Sequence, residues 1–101
     1  MQAAIQALTH PDRRQILRLV AHQALPVGEL AQHLGVSQPA TSQHLKVLRD
    51  AGLVHHSRTD GRRRLYQVDL DGLQRLRAEL DQLWEPALAA LKHAAEGGDR
   101  P

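Results

Sequence analysis

The sequence predicts a mainly α-helical domain that carries one small β-hairpin, which places it in the α+β class. Apolar residues recur at intervals of three and four along most of the chain, the spacing of helices that bury one side. Residues 53–68 are the exception, because two strand-like runs there flank an Asp-Gly pair, a strong hairpin signal. A chain of 101 residues is expected to form one domain, residues 1–101.

Composition excludes several classes of function. The chain has no cysteine, which rules out disulfides, thiolate metal sites and thiol-based redox sensing. Aromatic residues make up 2% of the chain, too few for a protein that stacks single-stranded bases on aromatic platforms. No apolar run reaches membrane-spanning length and no signal-peptide pattern is present, so we expect a cytoplasmic protein without a membrane partner.

The positive charge is concentrated in the middle of the chain, although the net charge is only +2. Residues 41–66 hold six Lys and Arg against two Asp, whereas residues 67–101 hold four cations against seven anions. Such a distribution predicts a polyanionic partner for the middle third.

Three short helices are predicted before residue 35. The first runs from Gln2 to Leu8, and Thr9 is the capping candidate for the second. The segment Ala24-Leu25-Pro26 ends the second helix, and the third covers residues 27–34. The apolar spacing places Ile16, Leu17, Leu19, Val20, Leu30, Ala31 and Leu34 toward the core, with Arg13, Arg14 and Arg18 outside.

The stretch from Gly35 to Leu53 carries the main functional signal. Gly35 ends the third helix, Ser37 supplies an N-cap for the fourth, and Gly52 ends the fourth. Residues 27–51 therefore read as a helix-turn-helix. Its second helix has a buried stripe of Thr41, Leu45 and Leu48, and an opposite side of Gln38, Ser42, Gln43, Lys46 and Arg49. These amides, hydroxyls and cations suit base edges and phosphates.

The hairpin over residues 53–68 has an apolar base and a basic tip. Its strands flank Thr59-Asp60-Gly61-Arg62. The base consists of Leu53, Val54, Tyr66 and Val68, and the tip of Arg58, Arg62, Arg63 and Arg64. A basic-tipped hairpin beside a helix-turn-helix is typical of a wing.

The last predicted helix covers about residues 70–95. Its apolar stripe extends over more than five turns, more than a small domain can cover, so we expect a homodimer. Pro86 lies inside this helix and predicts a kink or a local break. The expected interface residues are Ile5, Leu8, Leu73, Leu76, Leu80, Leu83, Trp84, Ala87 and Leu91.

The element order, the string SQPATSQHLKVLRDAGLV at residues 37–54 and the wing DGRRRLYQV at residues 60–68 resemble the ArsR/SmtB family of bacterial winged-helix transcriptional repressors. HPDRRQIL at residues 10–17 also looks like that family's second-helix opening, with His10 in place of the usual Asp. The resemblance covers roughly residues 3–94. It implies a homodimer, formed by the first and last helices, that binds an imperfect palindrome in double-stranded DNA.

The resemblance also implies roles for single residues. Gln38, Ser42 and Gln43 match the positions of base-edge readers, with His44 and Lys46 in support. The wing arginines would contact phosphates or the minor groove. The full set of candidate DNA contacts is Ser37, Gln38, Pro39, Ser42, Gln43, His44, Lys46, Arg49, Arg58, Arg62, Arg63 and Arg64.

The signal that such a repressor would sense is not evident. Many family members carry a cysteine pair on the third helix, where residues 29–33 here have no thiol. Others bind zinc on the last helix, and His93 and Glu96 match only half of that pattern. A zinc site needs about four placed ligands, so we expect no metal and no cofactor, with His93 and Glu96 as weak candidates. An unknown small-molecule effector at the dimer interface, regulation by protein level alone and a degenerate metal site all remain open.

No catalytic constellation is present, and we expect no enzymatic activity. Ser42 and His44 point to different sides of their helix, without a glycine-rich turn or an orienting acid. His55 and His56 are adjacent in a strand and point to opposite faces, which favours a structural role over a metal pair. The alternative function is a winged-helix protein–protein adaptor without DNA binding, but an adaptor would expose apolar or acidic groups on the fourth helix.

Overall fold

The computed structural model describes residues 2–98, apart from the side chains of Arg58 and Asp60. The helices are α1 (Gln2–Ala7), α2 (Pro11–His22), α3 (Val27–Leu34), α4 (Gln38–Asp50) and α5 (Leu70–His93), followed by a π-helical turn (Ala94–Gly98). The strands β1 (Leu25–Pro26), β2 (Val54–Asp60) and β3 (Arg63–Val68) form an antiparallel sheet in the order β1-β3-β2. The predicted mainly helical fold with a hairpin wing is confirmed.

One apolar core joins the helices to the sheet. Ile16 of α2, Leu30 of α3 and Leu48 of α4 are fully buried in it. The predicted inward residues Leu17, Leu19 and Leu34 lie half-buried at its margin. Within residues 2–98, no helix combines the length and the apolar character that a bilayer-crossing segment needs.

The start of α2 differs from the prediction. His10, not Thr9, is the N-cap residue, and its Nδ1 accepts a hydrogen bond from the backbone N–H of Asp12 at 3.1 Å. The Thr9 hydroxyl instead donates to the carbonyl of Gln6 at 2.7 Å. Imidazole can replace the usual oxygen acceptor because an unprotonated ring nitrogen also accepts from a free N–H.

Two of the arginines predicted to lie outside α2 donate hydrogen bonds to carbonyls at the end of α1, Arg14 from an exposed position as predicted and Arg13 from a half-buried one. Nε of Arg13, which is half-buried, donates to the carbonyl of Ala7 at 2.6 Å. Nη1 of Arg14 donates to the carbonyl of Leu8 at 2.8 Å. Cations that satisfy the last carbonyls of a helix stabilise its C-terminus, and these contacts fix α1 to the start of α2.

The sheet contains a strand that the periodicity does not predict. Leu25 pairs with Tyr66 and Pro26 with Leu65, so the segment expected only to end α2 forms β1. Pro26 has no N–H to donate, which suits the edge of a sheet. This pairing places β1 beside the hairpin and buries Leu65, which was not among the predicted base residues.

The turn of the hairpin lies one residue later than the Asp-Gly signal suggests. Asp60 still pairs with Arg63, which leaves Gly61 and Arg62 as the two-residue loop. A register shift between His56 and Arg58 shows a bulge at Ser57 in β2. Such a bulge adds local twist to the strand, and the twist sets the direction of the wing tip.

The C-terminal ends of α3 and of α4 have the same glycine-dependent motif. Gly35 and Gly52 have φ angles of 70° and 77°. After α3, the N–H of Val36 bonds back to the carbonyl of Ala31 at 3.3 Å. After α4, the N–H of Leu53 does the same with the carbonyl of Leu48 at 2.9 Å. Each is a Schellman motif, which favours glycine at its left-handed residue.

Helix α5 starts directly against the end of α4. The carboxylate of Asp69 accepts from the N–H of Gly72 at 3.0 Å, and the N–H of Asp69 donates to the carbonyl of Leu53 at 2.9 Å. The helix continues through Pro86, so of the two predicted effects, a kink or a local break, the break does not occur. The carbonyl that a proline leaves without its helical partner lies four residues earlier, at Gln82, in an exposed stretch where water can bond it.

We predict that Gly72→Ala lowers the free energy of unfolding by about 1–3 kcal/mol, as overpacking in a tight contact does. A Cβ at Gly72 would overlap the carbonyl oxygen of Gly52 and push α5 away from α4. Urea denaturation at fixed protein concentration measures the change. Gly97→Ala is the matched control, because a Cβ there meets nothing within 4 Å. Equal stability of the two variants would contradict the close contact.

Candidate nucleic-acid interface

The start of α4 is built as the sequence predicts. The Oγ of Ser37 accepts from the N–H of Ala40 at 3.2 Å, so the predicted N-cap is confirmed. The Thr41 hydroxyl donates to the carbonyl of Ser37 at 2.9 Å and is completely buried. With Leu45 and Leu48 also buried, the inner side of α4 is fixed against the core.

The outer side of α4 is exposed over its whole length. Its exposed residues include most of the predicted contacts, namely Ser37, Gln38, Pro39, Ser42, Gln43, Lys46 and Arg49. Only Val47, at 39% exposure, is an exposed large apolar side chain on this helix. The face therefore offers donors and acceptors of hydrogen bonds and positive charge to a partner.

His44 lies apart from this face. Its side chain is only 16% exposed and its ring lies 4.5 Å, centroid to centroid, from that of His10. Its Nε2 is 3.8 Å from a carboxylate oxygen of Asp12, and its Nδ1 is 3.5 Å from Nη1 of Arg13. Burial lowers the pKa of His44, and the charges of His10 and Arg13 lower it further against the opposing effect of Asp12.

The wing and the start of α4 line one cleft of about 390 Å³. Gln38 reaches it from α4 and Arg62, Arg63 and Arg64 reach it from the hairpin tip. The side-chain amide of Gln38 lies against Gly28 of α3. A Cβ added at Gly28 would lie 3.3 Å from the amide nitrogen of Gln38. The structure thus brings together the first candidate base reader and three wing arginines, whereas the side chain of Arg58 lies outside the described residues.

Two of the candidate cations already have acidic neighbours. Nζ of Lys46 lies 2.8 Å from Asp50, one helical turn further along α4. Arg63 lies 3.9 Å from Glu29 of α3. The hydrogen bond from Lys46, together with its charge, lowers the pKa of the Asp50 carboxyl. These exposed pairs are weak and can exchange for phosphate contacts.

The predicted interface residues divide into two groups along α5. Leu73 and Leu76 pack on the core of the chain itself, as Leu8 does. After Leu76 the apolar side chains of α5 are exposed, with Leu83 64%, Trp84 60% and Leu91 65% exposed. Ile5 and Leu80 are each 40% exposed, and Ala87 is exposed too. Leu88, which was not predicted, is 43% exposed on the same part of the helix, and Leu70 is 68% exposed at its first turn.

The weak metal candidates His93 and Glu96 do not form a site with a third ligand in the part of the chain that the structure describes. His93 is exposed at the end of α5, and the Glu96 carboxylate lies 4.0 Å from Nζ of Lys92. In the wing, the ring of His56 lies 6.4 Å from that of Tyr66, whereas His55 lies 3.9 Å from Asp69. The two wing histidines therefore have different neighbours.

Comparison with known proteins places this geometry in a family. The family profile described as bacterial regulatory protein, arsR family, matches residues 10–56. The HTH-type transcriptional regulator Rv2034 of Mycobacterium tuberculosis is 50% identical over 98 residues, 95% of this chain and 91% of that protein. The arsenical resistance operon repressor of Staphylococcus xylosus is 32% identical over 81 residues, 80% of this chain and 77% of that protein.

A solved structure shares the fold and bears on assembly. It is the homodimeric winged helix-turn-helix DNA-binding domain of Mb0332 from Mycobacterium bovis, a possible ArsR-family transcriptional regulator. It matches with a TM-score of 0.66 and 29% identity, over 86% of this chain and 80% of that chain. The winged helix-turn-helix architecture thus occurs in a two-chain assembly of a related protein.

We predict that Ser37→Ala lowers the free energy of unfolding by about 1 kcal/mol, because the N–H of Ala40 loses its acceptor. Ser42→Ala on the outer side of the same helix is the control and should change stability by less than about 0.5 kcal/mol. Chemical denaturation of both variants at one protein concentration makes the comparison. Identical midpoints would show that the Ser37 cap contributes nothing.

Proposed function

Because the chain belongs to the ArsR family of bacterial regulatory proteins, we propose that it is a homodimeric transcriptional repressor that reads a palindromic operator in double-stranded DNA. In this proposal it acts by binding, not as an enzyme, and works in the cytoplasm. The observation that carries the proposal is the exposed polar and basic side of α4 beside an arginine-tipped wing.

The proposed reading head is α4. A major groove admits one α-helix, and amide side chains there pair with base edges while cations hold the phosphates. Gln43 and Ser42 are exposed in the middle of α4, on the side opposite the buried Leu45 and Leu48. We assign base reading to Gln38, Ser42 and Gln43, and phosphate contacts to Lys46 and Arg49.

The wing supplies a second set of proposed contacts. Arg62, Arg63 and Arg64 are exposed at the hairpin tip and share a cleft with Gln38. Since each neutralised phosphate releases a counterion, three arginines at one tip would make affinity strongly dependent on salt. In this arrangement the wing lies along the backbone or the adjacent minor groove while α4 occupies the major groove.

In this proposal a second copy of the chain packs against the exposed apolar part of α5. Leu73, Leu80, Leu83 and Trp84 line an open groove of about 510 Å³ on this helix. Contiguous apolar surface of this kind marks an interaction site. The related M. bovis domain is a homodimer. Two copies joined in this way would place two reading heads about 34 Å apart, the spacing of successive major grooves.

Repression would follow from occupancy of the operator. A dimer across two half-sites would block access of RNA polymerase to the same DNA. The related S. xylosus protein is named as an operon repressor, which supports this direction of regulation.

Gln43→Ala should weaken binding to a duplex selected from a random library by about 1–3 kcal/mol and relax the preference at one base pair of each half-site. Fluorescence anisotropy against single-base variants of that duplex measures both effects. Arg64→Ala is the contrasting variant, and it should weaken binding to all duplexes alike and reduce the salt slope by about 1. A uniform loss across the duplexes for Gln43→Ala would remove its assignment as a base reader.

Leu83→Glu should yield a monomer whose affinity for the palindromic duplex is about 100-fold lower, because the second reading head no longer binds as part of the same molecule. Sedimentation velocity and anisotropy measure the two changes. Gln82→Glu adds the same carboxylate to the side of α5 away from the apolar stripe and should leave the dimer intact. A dimeric Leu83→Glu variant would contradict the proposed interface.

A further inference from the structure

Three metal-ligating side chains meet where the start of α2 contacts the middle of α4. One ligand atom each of His10, Asp12 and His44 lies within 4.8 Å of the others. All three side chains are half-buried. This cluster belongs neither to the outer side of α4 nor to the apolar stripe of α5, so the proposed function makes no use of it.

The local structure brings these groups together from two elements. Asp12 is in the first turn of α2, next to the N-cap residue His10. His44 comes from α4, and the buried Leu45 beside it fixes its position along that helix. The distance of 3.8 Å between Nε2 of His44 and Oδ2 of Asp12 is near the separation of two ligands around one tetrahedral ion, which is about 3.4 Å for bonds of 2.0–2.1 Å.

We propose that His10, Asp12 and His44 bind one divalent transition ion of the zinc type, with water as the fourth ligand. Two imidazoles and one carboxylate form a donor set that suits Zn²⁺, and a half-exposed cluster leaves room for a water ligand. The ion would link the beginning of α2 to the middle of α4. This inference does not rest on the proposed DNA binding.

Two neighbouring interactions set the strength of this site. Nδ1 of His10 accepts from the backbone N–H of Asp12, so an ion bound at Nδ1 would displace the cap of α2, whereas an ion bound at Nε2 would leave it in place. Nη1 of Arg13 lies 3.5 Å from Nδ1 of His44, so its positive charge would repel an ion bound in the cluster. The guanidinium is hydrogen-bonded to the carbonyls of Ala7 and Gln6. The site is therefore weaker than a closed structural zinc site.

Calorimetric titration of the full chain with ZnCl₂ in chelator-free buffer tests the proposal. We expect one Zn²⁺ per chain, and at least about tenfold weaker binding for each of His10→Ser, Asp12→Asn and His44→Gln. His22→Gln and His93→Gln are the controls, since both histidines are exposed and outside the cluster. Serine still caps a helix, so the loss of zinc binding in His10→Ser reports a lost ligand and not a lost fold.

Two further readouts separate ligation from other effects. Co²⁺ in place of Zn²⁺ should give visible absorption of a tetrahedral site in the parent chain and not in the cluster variants. Zn²⁺ should raise the thermal midpoint of the parent and of the controls only, because a ligand stabilises the state that binds it. Absence of saturable zinc binding would overturn the proposal. Binding that survives His44→Gln but is lost in His93→Gln would overturn it as well.

Discussion

The burial of one side of α4 is the interaction on which the rest of the molecule depends. Leu45 and Leu48 belong to the same core cluster as Ile16 of α2 and Leu30 of α3, and Thr41 is completely buried on the same side. An amphipathic helix fixed along one side must present the opposite side to solvent at a defined angle. The polar and basic groups on that opposite side are not needed for folding. The direction in which they point is set by the apolar contacts of the buried side.

Backbone motifs directly before and after α4 fix the position of this helix. The Schellman motifs at Gly35 and Gly52 fold the chain back by hydrogen bonds to Ala31 and Leu48, so the angles into and out of α4 are set by backbone geometry. The motif at Gly52 has a second role, because Gly72 of α5 packs directly against the carbonyl of Gly52. A close backbone contact therefore joins the helix proposed to read DNA to the helix proposed to form the dimer.

Local signals predict α4 well, and the features that the sequence did not reveal depend on distant parts of the chain. The Ser37 cap and the stripe of Leu45 and Leu48 can be read from spacing alone. A strand as short as β1 has no periodicity, and only its pairing with Tyr66 and Leu65 defines it. In the sequence Arg13 has the pattern of an ordinary surface cation, and only the folded structure shows that it bonds to the carbonyl of Ala7 in α1. His44 precedes Leu45 at the edge of the buried side, so only the position of α2 decides that it turns inward.

The exposure of the apolar side chains changes along α5. Leu76 is buried against the chain's own core, whereas Leu83, two turns later, is 64% exposed. The domain alone cannot remove this surface from water, and the hydrophobic effect favours any arrangement that does. Pairing with a second copy through the same stripe would satisfy that requirement by symmetry. Because α5 begins at the close contact between Gly72 and Gly52, the geometry of such a dimer would also fix the distance and angle between two α4 helices. A palindrome with a set half-site spacing is the DNA that such a pair could read.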